Sequence, residues 1–246
     1  MFSFHFFCTF VNNEIISLLN KKNVNKHLQI LLYVFLFLTL NSCFELKEQL
    51  SLRNNGSGTY HLILDLSKSQ DLIKMGLKTS ANSVNNPFAD MDSAFAKGSR
   101  RLNQMTGISN AKGIKDEQNL VFGVQFEFAD IKALNNAIRD LNEEEMTTEN
   151  EIFSFDVKNC VFERNNHFYL TKILENYTEL KEKKQIDDLL QNAIYTQIIR
   201  TSGKIKKNEN KLFEFGKDKK EVKMSANLLE VKNGKIEIAN ILKFKK

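Results

Sequence analysis

The stretch LKEQLSLRNNGSGTYHLILDLS, residues 46–67, predicts a β-hairpin. Polar and apolar residues alternate on both sides of NNGSG, which places alternate side chains on opposite faces of each strand. The glycines of residues 54–58 suit the turn, because glycine accepts positive φ without steric cost. Glu48 shares one face with Leu46, Leu50 and Leu52, and the rest of the chain has to cover this mostly apolar face.

The residues after the hairpin predict further strand pairs separated by helices. Apolar spacing near 3.6 predicts helices over residues 67–78, 87–105, 131–141 and 177–193. Alternation predicts strands over residues 107–115, 120–128, 151–158, 160–164, 167–171, 194–202, 211–215, 221–224 and 236–244. Strands with one apolar face favour antiparallel pairing. The expected fold is therefore α+β, with mainly antiparallel sheets, helices packed on one face and ββα-type units.

One segment near the C-terminus allows two interpretations. In residues 225–234, Ser225 suits the cap of a short helix closed by Gly234, whereas Asn233 and Gly234 together suit a hairpin turn. We favour the helix.

The chain divides into four parts. Residues 1–42 read as a signal peptide with an over-extended N-terminus, and residues 43–142 as a ββαββα subdomain. Residues 143–150 form an acidic connector, and residues 151–246 a β-rich subdomain with one or two helices. The alternative is one continuous domain over residues 43–246.

The signal-peptide prediction rests on an apolar run at residues 30–40, broken only by Thr39. The run is shorter than the roughly 20 apolar residues that a membrane-spanning helix needs. Lys21, Lys22 and Lys26 precede it as a basic n-region. The 20 residues before Lys21 exceed a usual n-region, which suggests a start codon placed too early.

The run ends in Leu40, Asn41, Ser42 and Cys43, which resembles the lipobox of bacterial lipoproteins. The resemblance implies that Cys43 receives a thioether-linked diacylglycerol, with acyl chains such as palmitate, and that cleavage makes it the first residue. Phe44 follows the cysteine, so the aspartate that retains some lipoproteins at an inner membrane is missing. The expected location is the outer membrane, facing the periplasm.

Together with the hairpin and YTQIIRTSGKIKK at residues 195–207, the lipobox resembles uncharacterised lipoproteins of the Bacteroidetes type and, more faintly, the LppM-type lipoprotein domain of actinobacteria. Ser202 stands where related proteins often have a proline. The resemblance implies an envelope-anchored α+β domain that interacts with a lipid or an envelope protein and inherits no catalytic residues.

Residue types that carry catalysis are sparse after residue 43. His61 and His167 have no carboxylate or cysteine at a metal-ligand spacing. Cys160 has no evident base and fits a small buried residue, and no nucleophile-elbow or phosphate-loop motif occurs. We therefore expect no metal, no cofactor and no enzymatic activity.

The positive charge is carried mainly by lysine. The net charge is +5, and only six of the 35 basic residues are arginine, the residue that recognises phosphate bidentately. With export, this argues against a nucleic-acid partner. Residues 201–246 hold thirteen lysines against six acidic residues. Lys204, Lys206, Lys207, Lys219 and Lys220 are a candidate membrane-facing patch, and a solvated surface is the alternative.

These observations predict a non-catalytic envelope lipoprotein that acts as a binding or structural and assembly module. A carrier or sensor of a lipid or other apolar ligand is the alternative, because the Phe-rich strands can line a cavity as well as fill a core. A hydrolase without a recognisable motif is the weakest option.

Overall fold

The computed structural model describes residues 44–69, 87–142, 151–166, 168–170, 187 and 190–245, with side chains from residue 95 onward in the first helix. The strands are β1 (Glu45–Leu52), β2 (Gly58–Asp65), β3 (Ile108–Asp116), β4 (Val121–Phe128), β5 (Phe153–Asp156), β6 (Val161–Arg164), β7 (Ile194–Thr201), β8 (Ile205–Asn208), β9 (Glu214–Phe215), β10 (Glu221–Asn227) and β11 (Asn240–Phe244). The helices are α1 (Pro87–Leu102), α2 (Ile131–Asn142) and α3 (Leu228–Lys232), with a 3₁₀ turn at Ser67–Ser69.

The hairpin prediction is confirmed. β1 pairs antiparallel with β2, Leu46 opposite Leu64 and Leu52 opposite Gly58. Gly56 closes the turn with a φ of 86°, a left-handed conformation that glycine adopts without steric penalty.

The hairpin lies in the middle of a seven-stranded sheet, in the order β3-β4-β2-β1-β7-β10-β9. All its pairings are antiparallel except that of β1 with β7, which is parallel. A second, antiparallel sheet has the order β5-β6-β11-β8. The predicted α+β fold is confirmed, and the first sheet contains strands from both sides of residues 143–150, which lie outside the described residues.

Helices and the second sheet cover the inward face of the first sheet. Gly113 of β3 pairs with Val124, and the α1 backbone at Phe95 and Ala96 passes 3.8–3.9 Å from where a Cβ of Gly113 would stand. α2 begins where Asp130 Oδ1 accepts a hydrogen bond from the amide of Ala133 at 2.8 Å, which caps the helix.

Two hairpins have the same type of turn. In residues 116–120 and 156–160, each asparagine donates its amide and its side-chain Nδ2 to the aspartate three residues earlier. The next residue in each turn, Leu120 or Cys160, has a φ near +50° and a buried side chain. The repeat of Asp-x-x-Asn followed by an apolar residue therefore marks the same hairpin geometry twice.

Several local predictions differ from the structure. Residues 169–170 form a turn rather than part of a strand, because Tyr169 points its hydroxyl into the interior. β8 was not predicted, since two of its four residues are consecutive lysines. Asn227 rather than Ser225 caps α3, its side chain accepting from the amide of Glu230, because β10 extends past Ser225.

Some predictions lie outside the described residues. The predicted helix beyond Ser69, most of the helix over residues 177–193 and everything before Phe44 belong to this group. In the part of the chain that is described, no helix has the length and apolarity needed to cross a membrane.

Candidate functional site

The folded domain includes the residue that directly follows Cys43. Phe44 is 2% exposed, and its carbonyl accepts a hydrogen bond from the amide of Ile194 at 3.0 Å. β1 begins at the next residue, Glu45. Cys43, with Leu40, Asn41 and Ser42, lies outside the described residues. The described fold therefore includes the residue directly after Cys43.

A polar cluster lies at the centre of the inward face, built around Glu48. Glu48 Oε1 accepts a hydrogen bond from the hydroxyl of Tyr169 at 2.7 Å. Glu48 Oε2 accepts from the hydroxyl of Tyr195 and from Gln197 Nε2. Arg164 Nη2 lies 3.4 Å from the same oxygen. We call these residues, with Tyr60, whose hydroxyl is 2.5 Å from that of Tyr169, the Glu48 cluster.

Sheet register explains how the cluster forms. Glu48 lies opposite Leu62 on β2 and Gln197 on β7, so Glu48 and Gln197 enter the core side by side. Arg164 comes from β6 of the second sheet and crosses the interface. The cluster therefore joins the two sheets through one buried ion pair with 0% side-chain exposure on both partners.

Burial sets the electrostatics of the cluster. Loss of water and the neighbouring Glu48 charge raise the pKa of Tyr60, Tyr169 and Tyr195 well above the ordinary tyrosine value. Burial alone would lower the pKa of Arg164, yet the surrounding Tyr195 and Glu48 oxygens raise it above its usual range. All three phenols therefore stay protonated and act as hydrogen-bond donors.

This arrangement suits structure better than acid–base chemistry. The Glu48 carboxylate is completely buried, and both of its oxygens already accept hydrogen bonds from neighbouring side chains. A general base must instead lie within hydrogen-bond distance of a substrate proton. Within the described part of the chain, Arg164 Nε and Gln197 Oε1 are buried without a hydrogen-bond partner, so the described groups do not fully satisfy the cluster. Because a buried ion pair adds little net stability, we infer that this one mainly fixes how the two sheets align.

The lysines of the predicted basic patch fall into two groups. The first group lies at one end of the first sheet and contains Lys204, Lys219 and Lys220. Backbone hydrogen bonds bring their segments together there: the amide of Ile205 donates to the Lys219 carbonyl at 2.7 Å, and the amide of Thr201 donates to the Lys220 carbonyl at 2.8 Å. Lys206 and Lys207 continue along β8, where Lys207 Nζ pairs with Glu209. All five side chains are exposed.

The remaining candidates from the sequence are dispersed. His61 is half-buried on the outward face of β2, where burial and the nearby Arg200 and Lys112 lower its pKa. Cys160 is buried, as predicted, while His167 lies outside the described residues. Among the described residues, no three His, Cys, Asp or Glu side chains gather as metal ligands; the expectation of no cofactor stays a prediction.

An open groove of about 680 Å³ runs along the second sheet. Its lining includes the carboxylates Glu151, Glu163, Glu209 and Glu237 and the edge of Arg164. Ile152, Ala239 and Ile241 line it as well, so its walls are partly charged and partly apolar.

The sequence held one signal for the Glu48 cluster. Glu48 stands among leucines on the apolar face of the first hairpin, and a carboxylate there requires buried donors. The identity of those donors could not be read, because Arg164 and Tyr195 are 116 and 147 positions away.

Comparison with known proteins gives a limited result. No protein-family model matches the chain, and no curated protein matches its sequence. The folded domain of the Mycobacterium tuberculosis LppM protein, solved by NMR, is similar in structure, with a TM-score of 0.40 and 7% sequence identity, over 83% of this chain and 91% of that chain.

Proposed function

We propose that the chain is an envelope lipoprotein whose folded domain is held directly at the membrane through lipid on Cys43. The observation that carries the proposal is the burial of Phe44 and its hydrogen bond to Ile194. The fold thus uses the chain from the first residue after the lipobox cysteine. Cleavage before Cys43 would leave every described helix and strand in the mature chain.

The domain then serves as a binding or structural module and not as an enzyme. Support comes from the Glu48 cluster. Its ion pair of Glu48 and Arg164 is completely buried in the described core, where a substrate cannot reach it. An outer-membrane location facing the periplasm is part of the proposal, and it rests on Phe44 standing after the cysteine. The partner is an envelope protein or a lipid.

A carrier of an apolar ligand is less well supported. The inward aromatic residues contact one another: the rings of Tyr60 and Phe126 are 5.3 Å apart, and those of Phe153 and Phe162 are 5.6 Å apart. Rings packed at this distance fill a core. The described interior therefore favours a solid core over a ligand chamber.

Metabolic labelling with an alkyne analogue of palmitate tests the proposal. The wild-type chain should incorporate the label, and Cys43→Ala should abolish incorporation. Cys160→Ala is the matched control, because Cys160 is buried and should leave labelling unchanged. Label that persists in Cys43→Ala would contradict lipid attachment at this residue.

A further inference from the structure

The two ends of the first sheet differ in charge and in their distance from Cys43. One end, where Glu45 pairs with Asp65 and Ile194, carries Phe44 and hence the attachment point. At the other end β1 finishes at Leu52, opposite Thr201. Eight residues of strand separate the two ends, or about 26 Å at 3.3 Å per residue.

The end far from Cys43 is strongly basic. We call it the basic tip, and its exposed cationic residues are Arg53, Lys204, Lys217, Lys219, Lys220 and Lys245. A backbone and a side-chain hydrogen bond hold it together: the Lys245 amide donates to the Lys204 carbonyl at 2.9 Å, and Ser202 Oγ donates to Asn54 Oδ1 at 2.6 Å.

The opposite end is nearly balanced. Lys47 Nζ lies 2.7 Å from Asp65 Oδ2 and 3.3 Å from Glu45 Oε2, so the lysine there is neutralised locally. Lys47 is thus paired with carboxylates, whereas no acidic partner is found for Lys204, Lys219 or Lys220 among the described residues.

Exposed apolar side chains flank the basic tip. Phe215 is 46% exposed on the edge strand β9. Val157, 48% exposed, lies against the hairpin turn at Gly56, where a Cβ would stand 3.7 Å from it. From β1 to β9 there are three strand spacings, about 14 Å, and the lysines lie between. A surface that is merely solvated would need lysines but no exposed apolar residues. Cations bordered by apolar residues match the boundary of an anionic lipid surface.

The backbone holds one tip lysine in an unfavourable conformation. Lys219 has a φ of +57°, in the left-handed region that glycine occupies more readily. Its turn is closed by hydrogen bonds from the Gly216 amide to the Glu221 carbonyl and from the Lys219 amide to the Gly216 carbonyl. An open groove of about 490 Å³ beside this turn is lined by Arg200, Lys217 and Lys220 and also by the carboxylates of Asp218 and Glu221. Glu221 pairs with Arg200, so the lysines carry the excess positive charge. Glycine at position 219 would relieve this conformation.

We propose that the basic tip binds the anionic headgroups of a lipid surface, with Phe215 and Val157 entering the headgroup region. This second contact goes beyond the lipid anchor and does not depend on it. If Cys43 is also lipidated, both contacts reach one bilayer only when β1 lies along the membrane surface; an upright domain offers its tip to an apposed surface.

A vesicle-binding assay tests this proposal. It uses residues 43–246 with Cys43→Ala, a chain that carries no acyl group and contains every described helix and strand. Vesicles with about one-third phosphatidylglycerol should sediment it, and phosphatidylcholine vesicles should not. Substituting Lys204, Lys219 and Lys220 by Gln should weaken binding at least tenfold, because each lysine near an anionic surface contributes on the order of fivefold. The matched control substitutes the exposed Lys68, Lys97 and Lys235 and should change binding less than twofold.

Two further variants separate a lipid surface from a simple anion site. The chain has no tryptophan, so Phe215→Trp gives a single reporter whose emission should shift to the blue on anionic vesicles. Lys219→Gly should raise the unfolding midpoint by relieving the left-handed residue while weakening binding, which excludes misfolding as the cause. Failure to bind anionic vesicles, equal binding to neutral ones, or displacement by millimolar inorganic phosphate without a spectral shift would each overturn the proposal.

Discussion

Arg164 Nη2 lies 3.4 Å from Glu48 Oε2, and this completely buried pair joins the second sheet to the first. Both charges have lost their water, so each depends on the other and on the surrounding phenols. The relationship makes the alignment of the two sheets sensitive to single substitutions at either residue.

Arg164→Met should therefore destabilise the protein strongly. The variant leaves the Glu48 carboxylate buried without its cation, which costs about 3–5 kcal/mol. Urea unfolding of the 43–246 chain measures the loss. The double variant Glu48→Gln, Arg164→Met should lose less than the sum of the two single variants, because neither charge is then stranded.

Arg200→Met is the control for this experiment. Arg200 Nε lies only 2.6 Å from Glu221 Oε2, but the Arg200 side chain is 45% exposed. Water screens such a pair, so the loss should stay below about 1 kcal/mol despite the shorter distance. Equal losses for Arg164→Met and Arg200→Met would refute the special role of the buried pair.

Alkaline pH should unfold the protein through its buried tyrosines. Tyr60, Tyr169 and Tyr195 have pKa values raised by burial and by Glu48. Above about pH 10, the ordinary tyrosine pKa, the unfolded chain loses these protons while the native chain keeps them. The native state then binds more protons, so stability is full below pH 10 and falls as pH rises toward the folded pKa.

Absorbance at 295 nm, followed with circular dichroism, checks this prediction. Phenolate formation by the three buried residues should coincide with the loss of secondary structure. Smooth ionisation of every tyrosine near pH 10 with the fold intact would show that the cluster is open to solvent.

Gly123→Ala should damage the centre of the first sheet. A Cβ at Gly123 would stand 2.2 Å from the carbonyl oxygen of Leu62 on the neighbouring strand, and the backbone would have to move. The expected loss is about 2–3 kcal/mol, measured by urea unfolding. Gly113→Ala, whose Cβ would meet its nearest atoms at 3.8 Å, should change stability by less than about 1 kcal/mol; a similar loss at both sites would contradict the register.

The two repeated turns predict a shared response to acid. Side-chain hydrogen bonds from Asn119 and Asn159 lower the pKa of Asp116 and Asp156. A depressed folded pKa stabilises the protein above the unfolded value of about 3.9, and this contribution is lost as pH falls through the folded pKa. Asn119→Ala should return the Asp116 pKa toward its ordinary value without moving that of Asp156, as NMR titration of the carboxyl carbons can measure. If Asp116 and Asp156 of the wild-type protein both had the ordinary aspartate pKa, these hydrogen bonds would be excluded.

Local patterns were enough to predict the hairpin, β4, α1 and α2. Alternation over residues 46–66 and helical spacing over residues 131–141 depend only on neighbouring residues. Glu48 was placed on the apolar face of the hairpin, but no role was predicted for it. What the sequence could not reveal is the parallel pairing of β1 with β7, because pairing across nearly 150 positions leaves no periodic trace.

The same limit applies to the candidate surfaces. The lysine-rich tail was evident in the sequence, but its separation into the basic tip and β8 depends on which backbone amides pair at Lys204, Lys219 and Lys220. Tyr169 was expected in a strand, yet it lies in a turn that directs its hydroxyl to Glu48. Buried polar partners overrode the local preference there.

The most direct test of lipid anchoring is the mass of the N-terminal peptide from protein extracted from its own envelope. The account predicts a chain that begins at Cys43 and carries a diacylglyceryl group on its sulfur, next to an unmodified Phe44. An N-terminus upstream of Cys43, or an unmodified Cys43 thiol, would contradict it.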